Sequence, residues 1–212
     1  MNVILNFAIS ADGKIGTSAG GASKFTSQQD LERLWEIRKS ADAIIVGRGT
    51  LEADNMSMTI ASQANPTRQP LRIIVSKKGS FDRKHKVFHS SGGDIHLLST
   101  ESKVTTPFPE GVSVHHMPLK DFLSYCEEIL QINHLLCEGG GQITQALAKL
   151  GLITTIHLTL AGHTLIGGSS APGILGILEE HLEHSLHFNL THFSPLENGE
   201  CFLTYSSSKS SA

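Results

Sequence analysis

Cysteine is scarce. Cys126, Cys137 and Cys201 are the only three in 212 residues, too few and too scattered for a disulfide framework or a paired-cysteine zinc site. Tryptophan occurs once and tyrosine twice, so an aromatic ligand pocket would have to be built from phenylalanine and aliphatic groups. No Lys/Arg cluster interleaves with aromatics, and 17 basic against 20 acidic side chains give a net charge of −3; the electrostatic footprint of a nucleic-acid binder is missing. Uncharged apolar runs such as 153–161 fall well short of the roughly 18 residues of a membrane-spanning helix, and the N-terminal run has neither basic leader nor cleavage site. The reading is a cytoplasmic protein acting on a small molecule, with no nucleic-acid or membrane partner. Histidine is plentiful, with 12 copies, but they are scattered. His115 and His116 would point to opposite faces of a strand, and a strand end parts His157 from His163, so no metal site is expected.

What is present is globular: 39% of residues are hydrophobic and 17% charged, with no repeat or linker. Short Val/Ile/Leu runs alternate with helix-period segments, the pattern of strand–helix–strand units. Strands are expected near 2–9, 42–46, 71–76, 94–98, 112–116, 132–137 and 153–160, with a C-terminal hairpin from 186–193 and 201–205 around Glu197-Asn198-Gly199. Helices are expected from a capping box at Thr26 and Gln29 to Ser40, over 119–130, and over 142–150 closed by Gly151. Residues 1–205 read as a single domain and the Ser-rich 206–212 as a disordered tail. Loops at 13–24, 51–70, 100–111 and 162–173 are long or glycine-rich enough to suggest function.

Four stretches can carry chemistry. Leu135-Leu136-Cys137-Glu138-Gly139-Gly140-Gly141-Gln142 is an apolar strand ending in a carboxylate and three glycines that open a helix. Bare backbone and unpaired N–H groups there suit a pyrophosphate, whereas Glu138 suits a substrate amine or hydroxyl. A flexible turn is the simpler alternative, but one glycine would suffice for that. Val46-Gly47-Arg48-Gly49-Thr50 is a second strand-to-turn passage, lacking the dinucleotide spacing because Glu52 replaces a glycine; Arg48 either faces solvent or forks onto a phosphate. Arg38 follows Trp35, Leu34 and Leu31 by three, four and seven residues, along the buried helical stripe. Either it points inward to an anionic partner or it snorkels near the helix C-terminus. Finally, Ser10-Ala11-Asp12-Gly13-Lys14 ends the first strand with a hydroxyl, a carboxylate and a lysine around a turn.

In this order the motifs resemble one family, the riboflavin-biosynthesis pyrimidine reductases of the dihydrofolate reductase-like fold. The likeness continues through Gly151-Leu152-Ile153 and Leu160-Ala161-Gly162-His163-Thr164-Leu165-Ile166-Gly167-Gly168 into the final hairpin. It implies a twisted, mostly parallel α/β sheet with helices on both faces and a C-terminal antiparallel hairpin, a homodimer, and NADPH as cofactor. Thr50, Asp54, Ser76, Gly139, Gly140, Gly141 and Gln142 match cofactor contacts, with Arg48 set for the adenosine 2′-phosphate; Lys14, Arg38 and Glu138 match substrate-side positions. The implied reaction reduces a phosphoribosylamino-pyrimidine, in its open imine form, to the ribityl compound. Asp54 or Glu138 would hold the balancing proton. The sequence departs from the pattern at Ala61, where a phosphate-binding arginine is expected, leaving Lys14 and Arg38 as substitutes, and at Lys24, where relatives often have tryptophan. Rival readings are a reductase of a pterin or folate and a non-catalytic NADPH-binding module.

Overall fold

The computed structural model describes residues 1–17, 25–104, 107–177 and 182–208; Lys24 and the last residues of the expected tail lie outside them. The chain forms two compact units, one of residues 32–136 with Met1, the other of residues 2–31 with 137 onward.

In the first unit the sheet order is β5 (Val112–His116), β4 (Ile95–Ser99), β3 (Leu71–Ser76), β2 (Ala43–Gly47) and β6 (His134–Cys137). β2 through β5 pair in parallel, with Val46 beside Ile74 and Ile74 beside Leu97. Residues 43–46, Ile73, Ile74, Leu97 and Leu98 have no exposed surface. These continuous apolar runs are what parallel strands buried on both faces require. The helices are α1 (Gln28–Ser40), which starts in the other unit, α2 (Arg48–Asp54) and α3 (Leu119–Glu128). α3 buries Phe122, Leu123 and Cys126 along one stripe, and burial pushes the Cys126 thiol up to about 12, an inert core cysteine.

Two elements depart from expectation. The turn after β2 is a seven-residue helix, α2: Gly49 is tolerated in its first turn, and the stop falls at Asn55, which is left-handed at φ 44°. The long 51–70 loop is not slack. Met58 and Ile60 are core residues, Ser62–Ala64 form a 3₁₀ turn, and the Gln69 amide pairs with both backbone groups of Ile60 at 2.8 and 2.9 Å. Arg72, 5% exposed, donates to the carbonyls of Val87, Ser90 and Gly93 at 2.8–3.0 Å. It satisfies groups that sequence periodicity cannot see.

His96 and His115, on β4 and β5, stack with ring centroids 5.2 Å apart and share a hydrogen bond between Nδ1 and Nε2 at 3.0 Å. Phe122 and Tyr125 of α3 cover His115. Burial lowers both pKa values, with Asp94 partly opposing this at His96 and the His96 charge adding to it at His115. A histidine whose pKa falls on folding binds fewer protons than in the unfolded chain, so its stabilisation is present above about pH 6.5 and lost as pH drops toward the folded pKa. Thermal unfolding between pH 7.5 and 5 should show a falling midpoint in the native protein and a flatter dependence in His115→Phe; parallel curves would remove the pair from the acid response.

In the second unit the sheet order is β1 (Asn2–Ser10), β7 (Ile153–Ala161), β9 (Glu200–Ser207) and β8 (Phe188–Pro195). β1 and β7 are parallel, Phe7 beside Leu158, whereas β7–β9 and β9–β8 are antiparallel. The expected hairpin is present, turned at Gly199 with φ 88°. β9 runs two residues into the expected tail because Ser206 and Ser207 pair with Thr155 and Phe188. α4 (Gly141–Lys149) buries Ile143, Thr144, Leu147 and Ala148 and ends at Gly151, φ 65°.

The cap of α1 is shifted by one residue from Thr26. The first intrahelical bond runs from Leu31 N–H to Ser27 C=O, 3.3 Å, which makes Ser27 the cap. Its own N–H and hydroxyl donate to the Glu200 carboxylate, both at 2.6 Å. A buried anion at a helix N-terminus, 2% exposed, complements the helix dipole. Short-range sequence pattern could not locate a partner from the last strand.

Candidate active site

β6 delivers Leu135, Leu136 and Cys137 into the core with no exposure, and the chain then turns sharply. Glu138 is half-buried. Gly139 and Gly140 follow with φ of 133° and 93°, backbone that only glycine adopts cheaply. Gly140 caps α4 without any side-chain bond, and its carbonyl accepts from the Thr144 amide and hydroxyl at 3.0 and 3.1 Å. Gly141 is required for a different reason. A Cβ there would lie 2.2 Å from Gly176 Cα and 2.4 Å from its nitrogen. Each of the three glycines therefore has a structural cause of its own. Gln142 is exposed on the first turn of α4.

At the end of β1 the Ser10 hydroxyl, fully buried, donates to Asp12 at 2.6 Å and accepts from the Lys14 N–H at 3.0 Å. Asp12 accepts from the N–H groups of Ile166 and Gly167 at 3.1 and 2.7 Å. The Ser10 hydroxyl, then those two N–H groups, hold its carboxyl down at about 2. Lys14 Nζ, half-buried, donates to the Ala171 carbonyl at 3.1 Å. Glu138, Gly139, Gly140, Gly141, Gln142 and Lys14 all belong to this second unit.

Arg38, Arg48, Thr50, Asp54 and Ser76 belong to the first. Arg38 points inward as its helical phase implies, 7% exposed, and its guanidinium donates to the Thr59 carbonyl. Arg68, the other arginine near Ala61, is taken by Asp42 at 2.6 Å. α2 opens at Gly47 with extended backbone and no side-chain cap. Arg48 at its start is engaged with Glu52 at 2.9 Å, one turn on, in a pair that is 39% and 40% exposed and so contributes little to stability. Thr50 is half-buried in the first turn. Asp54 keeps part of its surface in water, yet the protein around it desolvates the carboxyl enough to raise its pKa. Ser76 ends β3 with 3% exposure. Among the described residues its hydroxyl is a buried side-chain oxygen with no hydrogen-bond partner, a costly condition unless something else supplies one.

A cavity of about 530 Å³ opens beside Phe81, Arg83, Lys84, Phe88 and His89; it contains none of these site residues. No group of three or more His, Cys, Asp or Glu able to hold a metal occurs among the described residues.

Residues 1–202 match the family model of the RibD C-terminal domain. The chain belongs to that family. Within it, the chain is 26% identical over 181 residues to the 2,5-diamino-6-ribosylamino-4(3H)-pyrimidinone 5′-phosphate reductase of Methanothermobacter thermautotrophicus, covering 80% of this chain and 81% of that protein. It is 30% identical over 187 residues to the riboflavin biosynthesis protein RibD of Bacillus amyloliquefaciens, covering 82% of this chain and 48% of RibD. The chain thus spans about half the length of this RibD relative. Acinetobacter baumannii RibD superposes with a TM-score of 0.81 at 22% identity over 98% of this chain and 58% of that one. A pyrimidine reductase-like protein of Corynebacterium diphtheriae superposes with a TM-score of 0.77 at 18% identity, covering 97% and 91%. The mostly parallel sheet with a C-terminal antiparallel hairpin is the RibD reductase-domain fold, as the motif order implies. In the first unit the Ser76 hydroxyl, without a hydrogen-bond partner among the described residues, and in the second the start of α4, which has no side-chain cap, are each chemically suited to a polar group of a nicotinamide cofactor.

Proposed function

We propose that the chain is an NADPH-dependent reductase that converts a phosphoribosylamino-pyrimidine to its ribitylamino form in riboflavin biosynthesis. Residues 1–205 act as one reductase domain, in the cytoplasm and as a homodimer. The match of residues 1–202 to the RibD C-terminal domain carries this reading. Bound NADPH supplies the hydride. The chain's own task is orientation and the balancing proton. Arg48, Thr50, Asp54, Ser76, Gly139, Gly140, Gly141 and Gln142 hold the cofactor; Lys14, Arg38 and Glu138 face the substrate. Asp54, with its raised pKa, and Glu138 are the two candidates for holding the proton. Loss of reduced-nicotinamide absorbance, followed against phosphorylated and dephosphorylated ribosylamino-pyrimidines, pterins and dihydrofolate, tests the reading; turnover of a pterin alone, or of nothing, would overturn it.

Arg48 sets the cofactor preference. A charge-assisted contact to the 2′-phosphate contributes ~1.5–3 kcal/mol, so NADPH should bind at least about tenfold more tightly than NADH. Arg48→Ala should bring the two affinities together. Equal affinities in the unmodified protein would remove this role.

No helix of the described residues is long and apolar enough to cross a membrane. The homodimer is supported by Leu190 and Phe193 on strand β8, 51% and 61% exposed, and sedimentation measures it directly. Arg38 and Arg68 both hold partners within the first unit, so an arginine introduced at Ala61 would add a further cation for the substrate phosphate, in addition to Lys14 and Arg38. Ala61→Arg should lower the Michaelis constant for the phosphorylated substrate. An unchanged constant would place the phosphate elsewhere.

A further inference from the structure

The segment from Ser10 to Ile15 is joined to the 162–173 loop by several hydrogen bonds. Ala11 N–H donates to the Thr164 carbonyl at 2.8 Å and Ile15 N–H to the Pro172 carbonyl at 2.9 Å. Lys14 Nζ donates to Ala171, and Asp12 receives the N–H groups of Ile166 and Gly167. The loop is also fixed at its far end, where Gly176 backbone lies against Gly141. Asp12 is the only side chain among these contacts that reaches both partners. Its Oδ1 accepts from Ser10, whose oxygen in turn accepts the Lys14 N–H, and Oδ2 accepts from Gly167. Ser10 is buried completely while Asp12 itself lies at the surface. An exposed carboxylate normally gains little from such bonds; here the bonds define where two backbone segments lie.

We infer that Asp12 is a positioning residue for Lys14: through Ser10 it fixes the Lys14 backbone, and through the Ile166 and Gly167 N–H groups it fixes the loop whose Ala171 carbonyl receives the Lys14 ammonium. The effect of Asp12 on turnover runs through Lys14, and to that extent the inference rests on the substrate-side role of Lys14 proposed above. Asparagine cannot substitute fully, because its single oxygen can keep the Ser10 and Ile166 bonds while its NH₂ group would face the Gly167 N–H donor.

A double-mutant cycle tests this. Asp12→Asn should lower kcat/KM for the pyrimidine substrate by about tenfold to a hundredfold with NADPH affinity unchanged, and should have little further effect in a Lys14→Met background. Full additivity, or native turnover in Asp12→Asn, would overturn the inference. Should Asp12→Asn fail to fold, Ser10→Ala breaks the same link at its other end and is read in the same cycle. A second readout needs no turnover. The resonance of reductively ¹³C-methylated Lys14, assigned by its absence in Lys14→Met, should shift in Asp12→Asn or Ser10→Ala; an unmoved resonance overturns the inference. If the unmodified protein reduces no pyrimidine, the functional reading fails, while this resonance still decides whether Asp12 places Lys14.

Discussion

Glu138→Gln should lower turnover by about a hundredfold or more while NADPH affinity stays within a few-fold. Glu138 is the first residue past β6, whose preceding three residues are fully buried, and two glycines with left-handed backbone follow it. Glu138 is held in place by the buried strand that precedes it. Neutralising it therefore removes a carboxylate from a fixed point rather than shifting it. A carboxyl group used in proton transfer or in orienting the reacting amine is worth about 10²–10⁴ in rate, whereas a turn residue is worth nothing in kcat. Steady-state kinetics with a separate NADPH titration distinguishes the two. Unchanged turnover would reduce Glu138 to a turn residue and leave Asp54 as the proton's holder.

The largest effect on stability is expected three residues later. Gly141→Ala places a methyl group 2.2 Å and 2.4 Å from backbone atoms of Gly176, with the Leu175 carbonyl carbon at 2.9 Å. No flexible side chain stands there to yield, so α4 or the 173–176 segment must move. Overpacking of this kind costs about 1–3 kcal/mol, and more when backbone is displaced. A loss of about 3 kcal/mol lowers the melting temperature by roughly 6–12 °C in a chain of this size. Intrinsic helix propensity runs the other way, favouring alanine over glycine by about 1 kcal/mol. The sign of the change therefore separates the two causes: a variant as stable as the native protein would mean that the 173–176 segment is free to lift away from α4.

Gly141 also marks the limit of what was legible. Strand positions could be read where a strand buried on both faces is a largely apolar run, as at Leu71–Ser76; Val112–His116, at the sheet edge and mostly exposed, shows only the alternation of Val112 and Val114. The hairpin turn and the Gly151 stop were equally visible, being local in sequence. The triple glycine was visible as a motif but not in its cause, since Gly176 lies far along the chain. α2 was missed because a seven-residue helix with glycine in its first turn has no periodicity to detect. Arg38 was legible as buried, whereas its carbonyl partner was not, because backbone acceptors leave no mark in a sequence. Nothing local signals the unpartnered Ser76 hydroxyl or the loop-holding bonds of Arg72.

The second unit draws on both ends of the chain, residues 2–31 and 137 onward, and this bears on how the protein is made. β1 leaves the ribosome well before β7, carrying Val3, Ile4, Leu5 and Phe7, all core residues, but β7, its parallel partner, begins at Ile153. The carboxylate that receives Ser27 at the head of α1 arrives later still, with Glu200. At about 5–20 residues per second a nascent chain spends on the order of ten seconds with that apolar strand lacking β7, while the whole of 32–136 has already emerged and can condense. Loss of β7 or β9 therefore harms β1 and the head of α1, made long before them, and the interval before β7 appears is when a chaperone has most to protect.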